Sequence, residues 1–409
     1  MILKQRGNII AVLDIGSSKI VCLIAKVSNY GKFEVIGIGH NVSYGVRAGI
    51  ITDIRAVESS ITQAVEAAET AAGEKIKKIY ASIASNSLLS QRVFSEISVT
   101  GREINYKDLN RLLFGALERY QQQSIEILHT FVYNYILDGN HGITSPLGLH
   151  GDKLACNLHM ISTPTNNLLN FSSCITKCSL EVQGYISGAY ATGMACLTED
   201  EMQLGVTLIE FGAGSTSITI FENNYVIYTD GVPLGGVNVT NDIAKGLCIS
   251  LADAERVKNL YGAVIMTDSD IKDVFELKAV DEEVECDSVL ISRHLLIEII
   301  RARIDEILEL VVHKLEANNI KIYGKVVIAG SGARISGLRE LTAHLFSSKV
   351  RIGYSKSIEG IDGVNTLEFG AAIGMLMHVV DNMQERKNMY GNGSKFNNVL
   401  KWLKDYFQN

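Results

Sequence analysis

The chain alternates between short apolar runs rich in β-branched residues and segments whose apolar positions recur every three or four residues. The first pattern predicts buried strands, and the second predicts helices that pack against a sheet. Two strand-like runs joined by a tight polar turn open the chain at NIIAVLDIGSSKIVCLIAKV, from Asn8. A third run, FEVIGIG from Phe33, precedes a helical pattern. This order predicts a mixed α/β domain.

A second unit of the same kind begins at Gly205, with GVTLIEFGAGSTSITIFENN and then YVIYTDGV. Each unit ends its first strand on a carboxylate, Asp14 or Glu210, and places a glycine two residues later with hydroxyl side chains just after it. The repeated order indicates a diverged duplication, so we expect two similar domains.

Three further segments have clear patterns. Helical spacing appears in DLNRLLFGALERYQQQS, from Asp108, and in RHLLIEIIRARIDEILELVVHKLEANNI, from Arg293, which predicts a long amphipathic helix. The stretch KVVIAGSGARISGLREL, from Lys325, predicts a buried strand, a glycine turn and a helix beginning near Ser336.

Composition is that of an ordinary globular protein of 409 residues, with 47% hydrophobic and 20% charged residues. A net charge of -7 without a basic cluster argues against nucleic acid as a partner. The seven cysteines form no CxxC pair, which favours a reducing compartment over a disulfide framework or a zinc site. No apolar run reaches the roughly 20 residues that a membrane-spanning helix needs.

The glycine turns suggest chemistry. Glycines allow successive backbone N–H groups to point into one concavity, where phosphate oxygens bind, and the hydroxyls add donors. Asp14 and Glu210 are candidates to hold Mg²⁺ through its water shell, and Glu255 and Lys258, three residues apart on one helical face, are candidates to reach a ribose. The candidate nucleotide-binding residues are Asp14, Gly16, Ser17, Ser18, Lys19, Glu210, Gly212, Gly214, Ser215, Thr216, Gly235, Gly236, Glu255, Lys258, Gly330, Ser331 and Gly332.

Each feature also has a plainer explanation. A single glycine turn is often only a hairpin or a strand-to-helix connection, and Glu255 with Lys258 is often only a surface ion pair. Two such turns with a carboxylate in the same place favour a nucleotide cleft between two similar domains.

In this order, the three glycine turns resemble the phosphate-1, phosphate-2 and adenosine motifs of the superfamily of actin, heat-shock chaperones and sugar kinases. Three other segments narrow the resemblance to the FtsA family of bacterial cell-division proteins, over nearly the whole chain. These are ILHTFVYNYILDGNHGITSPLGLHG from Ile127, LTEDEMQLGV from Leu197 and VRIGYSKSIEGI from Val350. The resemblance implies an actin-like, two-lobed ATPase fold of duplicated ribonuclease-H-like domains, with ATP and Mg²⁺ between the lobes.

The resemblance also implies the domain order. A subdomain is inserted in the first lobe, and a C-terminal amphipathic helix follows the second. The expected division is 1–85 and 166–198 for the first lobe, 86–165 for the insert, 199–242 and 323–380 for the second lobe, 243–322 for its small subdomain, 381–393 for a flexible linker and 394–409 for the helix.

The chain departs from the superfamily pattern at three positions. Glu210 and Ala213 stand where Asp and Gly are preferred, and Ser331 stands where a second glycine is usual. A longer acid displaces a bound metal and a methyl group crowds the phosphate nest. We therefore expect ATP binding with weak or absent hydrolysis.

The C-terminal segment FNNVLKWLKDYFQN, from Phe396, predicts an amphipathic helix with aromatics at the edge of its apolar stripe and lysines opposite. That pattern suits a helix lying in the headgroup plane of a membrane, although a helix docked on the protein body stays open. The candidate membrane-binding residues are Phe396, Val399, Leu400, Lys401, Trp402, Leu403, Lys404, Tyr406 and Phe407.

The family resemblance implies a peripheral protein at the cytoplasmic face of the bacterial inner membrane, at the division site. There it would polymerise head to tail, contact membrane lipids, tether the tubulin-like FtsZ ring and help recruit later division proteins. Arg301 and Arg303 are candidates to bind the acidic C-terminal tail of FtsZ, or they form a solvated face.

Two alternatives remain. A pilus-assembly adaptor of the same fold would be expected to lack the C-terminal tail. A small-molecule kinase would need a general base over a bound hydroxyl, and no motif nominates a carboxylate for that role.

Overall fold

The structure is a computed structural model, which describes residues 8–28, 32–120, 124–268, 270, 273–277, 289–322, 324–361 and 367–391. The first part of the chain forms one lobe with an inserted subdomain. Its elements are β1 (Asn8–Ile15), β2 (Lys19–Val27), β3 (Phe33–Val42), β4 (Val46–Arg47), β5 (Ile50–Ile51), α1 (Ile54–Ala72), β6 (Lys78–Ile83), β7 (Leu89–Ser98), α2 (Tyr106–Tyr120), β8 (Ile125–Leu137), β9 (Asn140–Ile143), β10 (Lys153–Pro164), α3 (Thr165–Lys177), β11 (Glu181–Ser187) and α4 (Gly188–Cys196).

The second part of the chain forms the other lobe. Its elements are α5 (Glu199–Leu204), β12 (Val206–Phe211), β13 (Thr216–Glu222), β14 (Tyr225–Val232), α6 (Gly236–Leu247), α7 (Leu251–Tyr261), β15 (Val274–Leu277), β16 (Val289–Ser292), α8 (Arg293–Ala317), β17 (Lys325–Ala329), α9 (Leu338–Phe346), β18 (Val350–Ile352) and α10 (Gly370–Gly391).

The main sheets of the two lobes have the same architecture. The first has the order β11-β6-β1-β2-β3, and the second has the order β18-β17-β12-β13-β14. In each sheet the first strand of the unit pairs antiparallel with the next strand and parallel with a later one, which a helical crossover supplies. The predicted duplication and the two-lobed α/β fold are therefore confirmed.

The inserted subdomain is a four-stranded sheet of order β7-β10-β8-β9 with α2 packed against it. Its core is separate from those of the lobes and includes Leu112, Leu154 and Leu158, all fully buried. The helical spacing from Asp108 thus buries one face of α2 on this sheet, and the predicted insert has its own hydrophobic core.

Helix α10 follows the second lobe but packs against α4 and the first-lobe sheet. Ala372, Met375 and Leu376 are fully buried there. The two helices approach closely at Gly374, where a Cβ atom would lie 1.7 Å from Ala191 O. Helices α4 and α10 therefore join the two lobes at the base of the cleft.

The prediction of a flexible linker over residues 381–393 is wrong for its described part, because α10 continues to Gly391. This stretch contains good helix formers and no proline, so it extends a helix that is already nucleated. The predicted membrane helix at 394–409 lies outside the described residues. Among the residues that are described, no helix is long and apolar enough to cross a membrane.

Candidate nucleotide-binding cleft

A cleft lined by residues of both strand-turn-strand units lies between the two lobes. Both strand-turn-strand units and the turn after β17 face it. The sequence-predicted residues that line the cleft are Asp14, Gly16, Ser17, Ser18, Lys19, Glu210, Gly212, Gly214, Ser215, Gly330 and Ser331.

The phosphate-1 turn (residues 16–19) and the phosphate-2 turn (residues 212–215) have the same backbone closure. Gly16 N–H donates to Lys19 O over 3.0 Å, and Gly212 N–H donates to Ser215 O over 3.0 Å. The two turns almost touch across the cleft, since a Cβ atom on Gly214 would lie 2.4 Å from Ser17 Oγ. The cradle that the sequence predicts is therefore formed jointly by both lobes.

Asp14, the last residue but one of β1, is held by a hydroxyl of the neighbouring strand β6. Ser82 Oγ donates to Asp14 Oδ1 over 2.7 Å and accepts from Ile15 N–H over 3.0 Å. Burial raises the pKa of Asp14, while the hydrogen bond from Ser82 and the charge of Lys19 oppose that rise. Ser82 was not predicted from the sequence because it lies 68 residues away, on a strand without a motif.

Glu210, the last residue but one of β12, accepts hydrogen bonds on both carboxylate oxygens. Thr192 of α4 donates to Oε1 over 2.9 Å, and Ser217 of β13 donates to Oε2 over 3.1 Å. Burial raises the pKa of Glu210 to about 7, and the negative charge of Asp14 adds to the rise while the two hydroxyls counteract it. Asp14 and Glu210 thus place two mutually repelling carboxylates at one site, and a divalent cation bound there would relieve the repulsion.

The magnesium prediction can be compared with this donor set. Mg²⁺ keeps several waters and is usually held by one or two carboxylates together with substrate phosphates. Among the described residues no group of three or more His, Cys, Asp or Glu side chains is placed to hold a metal. The pair Asp14 and Glu210, beside two backbone cradles for phosphate, therefore fits Mg²⁺ bound together with a nucleotide better than a metal bound by protein alone.

Lys19, at the end of the phosphate-1 turn, is already paired. Its Nζ lies 2.8 Å from Glu368 Oε2 and 5.0 Å from the centre of the Phe369 ring. The other oxygen of Glu368 lies 3.1 Å from Arg334 Nη2, in the turn after β17. Glu368 thus bridges the phosphate-1 turn of the first lobe and the adenosine turn of the second.

Four predicted residues lie behind the cleft surface. Thr216 is fully buried, and its hydroxyl donates to Leu234 O over 2.9 Å instead of facing the cleft. Gly235 and Gly236 pack on the back of the phosphate-2 turn, with Gly236 N–H donating to Gly212 O over 3.0 Å. Gly332 packs on β12. These four residues support the turns without lining the cleft.

The adenosine turn needs a glycine at its first position. Gly330 has a φ of 80°, and a Cβ atom there would lie 2.5 Å from Phe211 O. This left-handed backbone and close approach bring the turn after β17 against the end of β12, beside Glu210. The third predicted motif is thereby placed at the same site as the first two.

Glu255 and Lys258 form the predicted ion pair on α7, with 2.6 Å between Oε2 and Nζ. Lys258 also donates to Thr240 Oγ1 over 2.8 Å and to Gly236 O over 3.2 Å. The pair therefore holds the start of α6 behind the phosphate-2 turn. It does not line the cleft, and its contact with a ribose stays a prediction.

Arg301 and Arg303 lie on α8, and both have carboxylate partners within the chain. Arg301 Nε lies 2.6 Å from Asp305, and Arg303 binds Asp242 with two nitrogens and also contacts Glu306. Arg301 is more exposed, at 41% of its side chain against 23% for Arg303. Their role toward a partner stays a prediction.

Several lining residues were missed by the sequence analysis, because small or loop residues without a motif supply them. They are Gly49, Ser82, Ile83, Ala84, Gly188, Ala189, Ala213, Ser217, Leu367, Glu368, Gly370 and Ala371. Ala213 was noted only as a departure from the family pattern. The short turn between β4 and β5 lies at Ala48-Gly49, where both residues have positive φ angles, and only the glycine could have indicated it from the sequence.

The matched sheets, the inserted subdomain and the two turns facing one cleft define a protein of actin-like fold. A family profile described as "Cell division protein FtsA" matches residues 207–374, and one described as "SHS2 domain inserted in FTSA" matches residues 86–162. The cell division protein FtsA of Agrobacterium fabrum is 33% identical and aligns over 99% of this chain and 96% of its own length. FtsA of Rhizobium meliloti is 32% identical over the same shares. The chain belongs to the FtsA family of cell-division proteins.

Solved structures support the fold. A PilM-PilN type IV pilus biogenesis complex matches with a TM-score of 0.62 at 14% identity, over 91% of this chain and 98% of that one. MreB5 of Spiroplasma citri bound to ADP matches with a TM-score of 0.56 at 12% identity, over 92% and 98%. At these identities the likeness concerns the fold alone.

Proposed function

We propose that this protein binds ATP with Mg²⁺ between its lobes and acts at the division site, at the cytoplasmic face of the inner membrane. There it polymerises head to tail and tethers the FtsZ ring through its C-terminal segment. The observation that carries the proposal is the pair of equivalent glycine turns, each behind a carboxylate and facing one cleft, in a chain of the FtsA family.

Each element of the cleft has a chemical task in this proposal. The backbone N–H groups of residues 16–19 and 212–215 bind phosphate oxygens, and the hydroxyls of Ser17, Ser18 and Ser215 add donors. Asp14 and Glu210 are the residues that would hold a magnesium ion through its waters, and the ion would supply neutralising charge to the phosphates.

Hydrolysis is expected to be slow. Both oxygens of Glu210 are engaged by Thr192 and Ser217, so neither is without a donor. Each oxygen can accept a second hydrogen bond, so Glu210 could still hold a magnesium ion through water, but a side chain one methylene longer than the usual Asp would displace that ion, which disfavours hydrolysis. ATP then acts mainly as a ligand that favours closed lobes and thereby head-to-tail assembly.

Membrane binding by one tail is expected to be weak. Burying a large apolar side chain contributes about 1.5–3 kcal/mol, but ordering and immobilising the helix offset much of that. A polymer presents many tails to one membrane, and their effective concentration multiplies the small net affinity of each. Tethering therefore depends on assembly.

Sedimentation with anionic vesicles tests the anchor and the assembly together. The full chain is compared with a variant ending at residue 393, each with and without ATP, over a range of protein concentrations. We expect cooperative, ATP-stimulated binding of the full chain and none of the truncated variant. Equal binding of both variants would contradict the anchor, and binding independent of concentration would contradict the avidity.

Contact with the acidic tail of FtsZ is tested at α8. Arg301 is the more exposed of the two arginines, and an incoming carboxylate competes there with Asp305. We expect the double substitution of Arg301 and Arg303 by Glu to weaken binding of an FtsZ tail peptide while ATP binding persists. Arg339→Glu, on exposed α9, is the matched control. An unchanged peptide affinity would remove both arginines from the site.

The pilus-adaptor alternative has support only from the fold, through the likeness to the PilM-PilN complex. Sequence relatives that match nearly the full chain are cell-division proteins. The division role is therefore the function that we propose.

A further inference from the structure

Glu368 places a negative charge inside a cleft that is otherwise suited to phosphate. It lies among the lining residues, and its two oxygens contact Lys19 at 2.8 Å and Arg334 at 3.1 Å. Its side chain is 31% exposed and that of Lys19 is 24% exposed, so the pair is shielded from much of the solvent. Neither family motif nor sequence pattern drew attention to this residue.

The Lys19 ammonium group cannot pair fully with both the Glu368 carboxylate and a bound phosphate. Lys19 ends the phosphate-1 turn and lines the cleft, where a phosphate oxygen would approach the backbone donors. A phosphate bound there either displaces the Glu368 carboxylate from Lys19 or lies beside it, and two negative charges at that distance repel each other. In both cases Glu368 lowers the affinity for a phosphate group.

We propose that the Glu368 carboxylate competes with bound phosphate groups for the Lys19 ammonium group. The affinity of the cleft for a ligand therefore depends on the charge of the phosphate chain that the ligand carries. The inference rests on the proposed binding of ATP and adds a residue that discriminates among phosphate-bearing ligands. Glu368 opposes triphosphates most strongly, diphosphates less and the uncharged nucleoside not at all.

The position of Glu368 gives this competition a structural consequence. Glu368 lies two residues before α10, and Phe369 between them is buried and lies under the Lys19 ammonium. Release of Glu368 from Lys19 therefore removes a contact between the residues that lead into α10 and the phosphate-1 turn. In the described part of the chain, α10 follows directly. Phosphate binding therefore alters the contacts at the start of the helix that precedes the C-terminal segment in sequence.

The substitution Glu368→Gln tests the proposal, since it keeps the shape and removes the charge. Calorimetric titration with ATP, ADP and adenosine compares the variant with the wild type. We expect ATP to bind roughly fivefold more tightly to the variant, the change that follows from loss of a part-buried ion pair, with a smaller gain for ADP and none for adenosine. Glu340→Gln, on exposed α9, is the matched control and leaves all three affinities unchanged.

A double-substitution cycle keeps the test specific for Lys19. In a Lys19→Gln background the further change Glu368→Gln should raise ATP affinity much less, because the group for which the two anions compete is gone and only the direct repulsion between Glu368 and phosphate remains. An unchanged or weaker ATP affinity of the Glu368→Gln variant, or an equal gain for adenosine, would overturn the proposal. So would a full gain in the Lys19→Gln background.

The same experiment separates this inference from the proposed function. If the wild type binds no nucleotide, ATP binding fails as a function. Titration with inorganic tripolyphosphate then still tests the competition, since it needs only a phosphate chain at Lys19. Tighter tripolyphosphate binding by Glu368→Gln supports the inference in that case, and unchanged binding overturns it.

Amide hydrogen exchange supplies a readout other than affinity. ATP should increase exchange at residues 370–374 of the wild type, at the start of α10, because the anchoring contact is lost. The Glu368→Gln variant should show raised exchange there without ATP and little further change with it. ATP-induced protection of the same amides in the wild type would contradict the proposed signal.

Discussion

The two lobes hold their equivalent carboxylates, Asp14 and Glu210, by hydrogen bonds from different structural elements. In the first lobe Asp14 is held by Ser82, on the parallel neighbour β6. In the second lobe the parallel neighbour of Glu210 is Ala329, which has no hydroxyl, and support comes instead from Ser217 on the antiparallel neighbour β13. The side chain of Glu210, longer by one methylene, also reaches Thr192 on α4.

This difference shows how a duplicated turn can acquire separate tasks. Asp14 is supported entirely within its own sheet, so its position is independent of the other lobe. Glu210 is tied to α4, the helix that leads from the first lobe to the second, so its position depends on how the lobes are joined. We therefore expect the phosphate-1 turn to act as a fixed binding surface and the phosphate-2 turn to respond to lobe closure.

The largest effect is expected where the two turns meet. In Gly214→Ala the new methyl group would lie 2.4 Å from Ser17 Oγ and 3.0 Å from Ala48 N, so the lobes must separate. Overpacking of this kind costs about 1–3 kcal/mol, and ATP affinity should fall roughly thirtyfold. Calorimetric titration measures the loss, with Gly115→Ala on α2 as control, because the nearest atom there is 3.8 Å away. Equal affinities of the two variants would show that the turns do not close on the nucleotide.

The charge on Glu210 is expected to destabilise the second lobe at neutral pH. Its pKa is about 7 in the folded protein, against 4.5 as the ordinary value, so the folded state holds the proton more tightly. The free energy of unfolding therefore falls as pH rises from about 4.5 to 7, and it stays lower above that. In Glu210→Gln this loss is absent.

Urea denaturation at pH 5 and pH 8, without magnesium, measures the effect. The stability of Glu210→Gln relative to the wild type should be greater at pH 8 than at pH 5 by on the order of 2 kcal/mol. Val21, the equivalent of Ser217 in the first lobe, provides no hydroxyl, so Asp14 depends on Ser82 alone and its own pKa is also raised. If the difference in unfolding free energy between Glu210→Gln and the wild type is the same at both pH values, the charge on Glu210 does not destabilise the folded protein.

The outer strands of the two sheets offer a third comparison. In the first lobe β11 is seven residues long, whereas β18 in the second has only three and is fixed by side chains. Glu201 of α5 accepts from Arg351 Nε over 2.7 Å and from Lys325 Nζ over 2.8 Å. Burial alone would raise the pKa of Glu201, but these partners lower it to about 2.

We expect Glu201→Gln to lose about 2 kcal/mol of unfolding free energy at pH 7. The stabilisation by Glu201 is fully present above about pH 4.5 and is lost as pH falls toward 2, so the stability difference should be about halved at pH 3 and nearly absent at pH 2. The control is Glu181→Gln on β11, whose partner Lys78 is 3.9 Å away and 64% exposed, and whose loss should have little effect. A larger loss of unfolding free energy in Glu181→Gln than in Glu201→Gln would contradict this prediction.

Much of this architecture could be predicted because it is encoded locally. The runs around Asp14 and Glu210 carry their own strand periodicity and turn glycines, and the same holds for the turn at Gly330. The supports could not be predicted, since Lys19 and Glu368 are 349 residues apart and Ser82 lies on a strand without a motif. Thr216 was expected to donate to phosphate, but the pleat turns its hydroxyl toward Leu234.

The smallest effects are expected from removing the hydroxyl groups that donate to Asp14 and Glu210. These substitutions compare how the two lobes hold their carboxylates. Ser82→Ala removes the donor to Asp14 and leaves the buried Ile15 N–H without its acceptor, which costs about 1–2 kcal/mol of unfolding free energy. Thr192→Val removes one of two donors to Glu210 and should cost about 1 kcal/mol or less, since Ser217 remains. Because Thr192 lies on α4, its loss should also weaken the response of lobe closure to ATP, which hydrogen exchange in α4 measures. Ser82→Ala should leave that response intact, and the opposite result would assign the coupling to the first lobe.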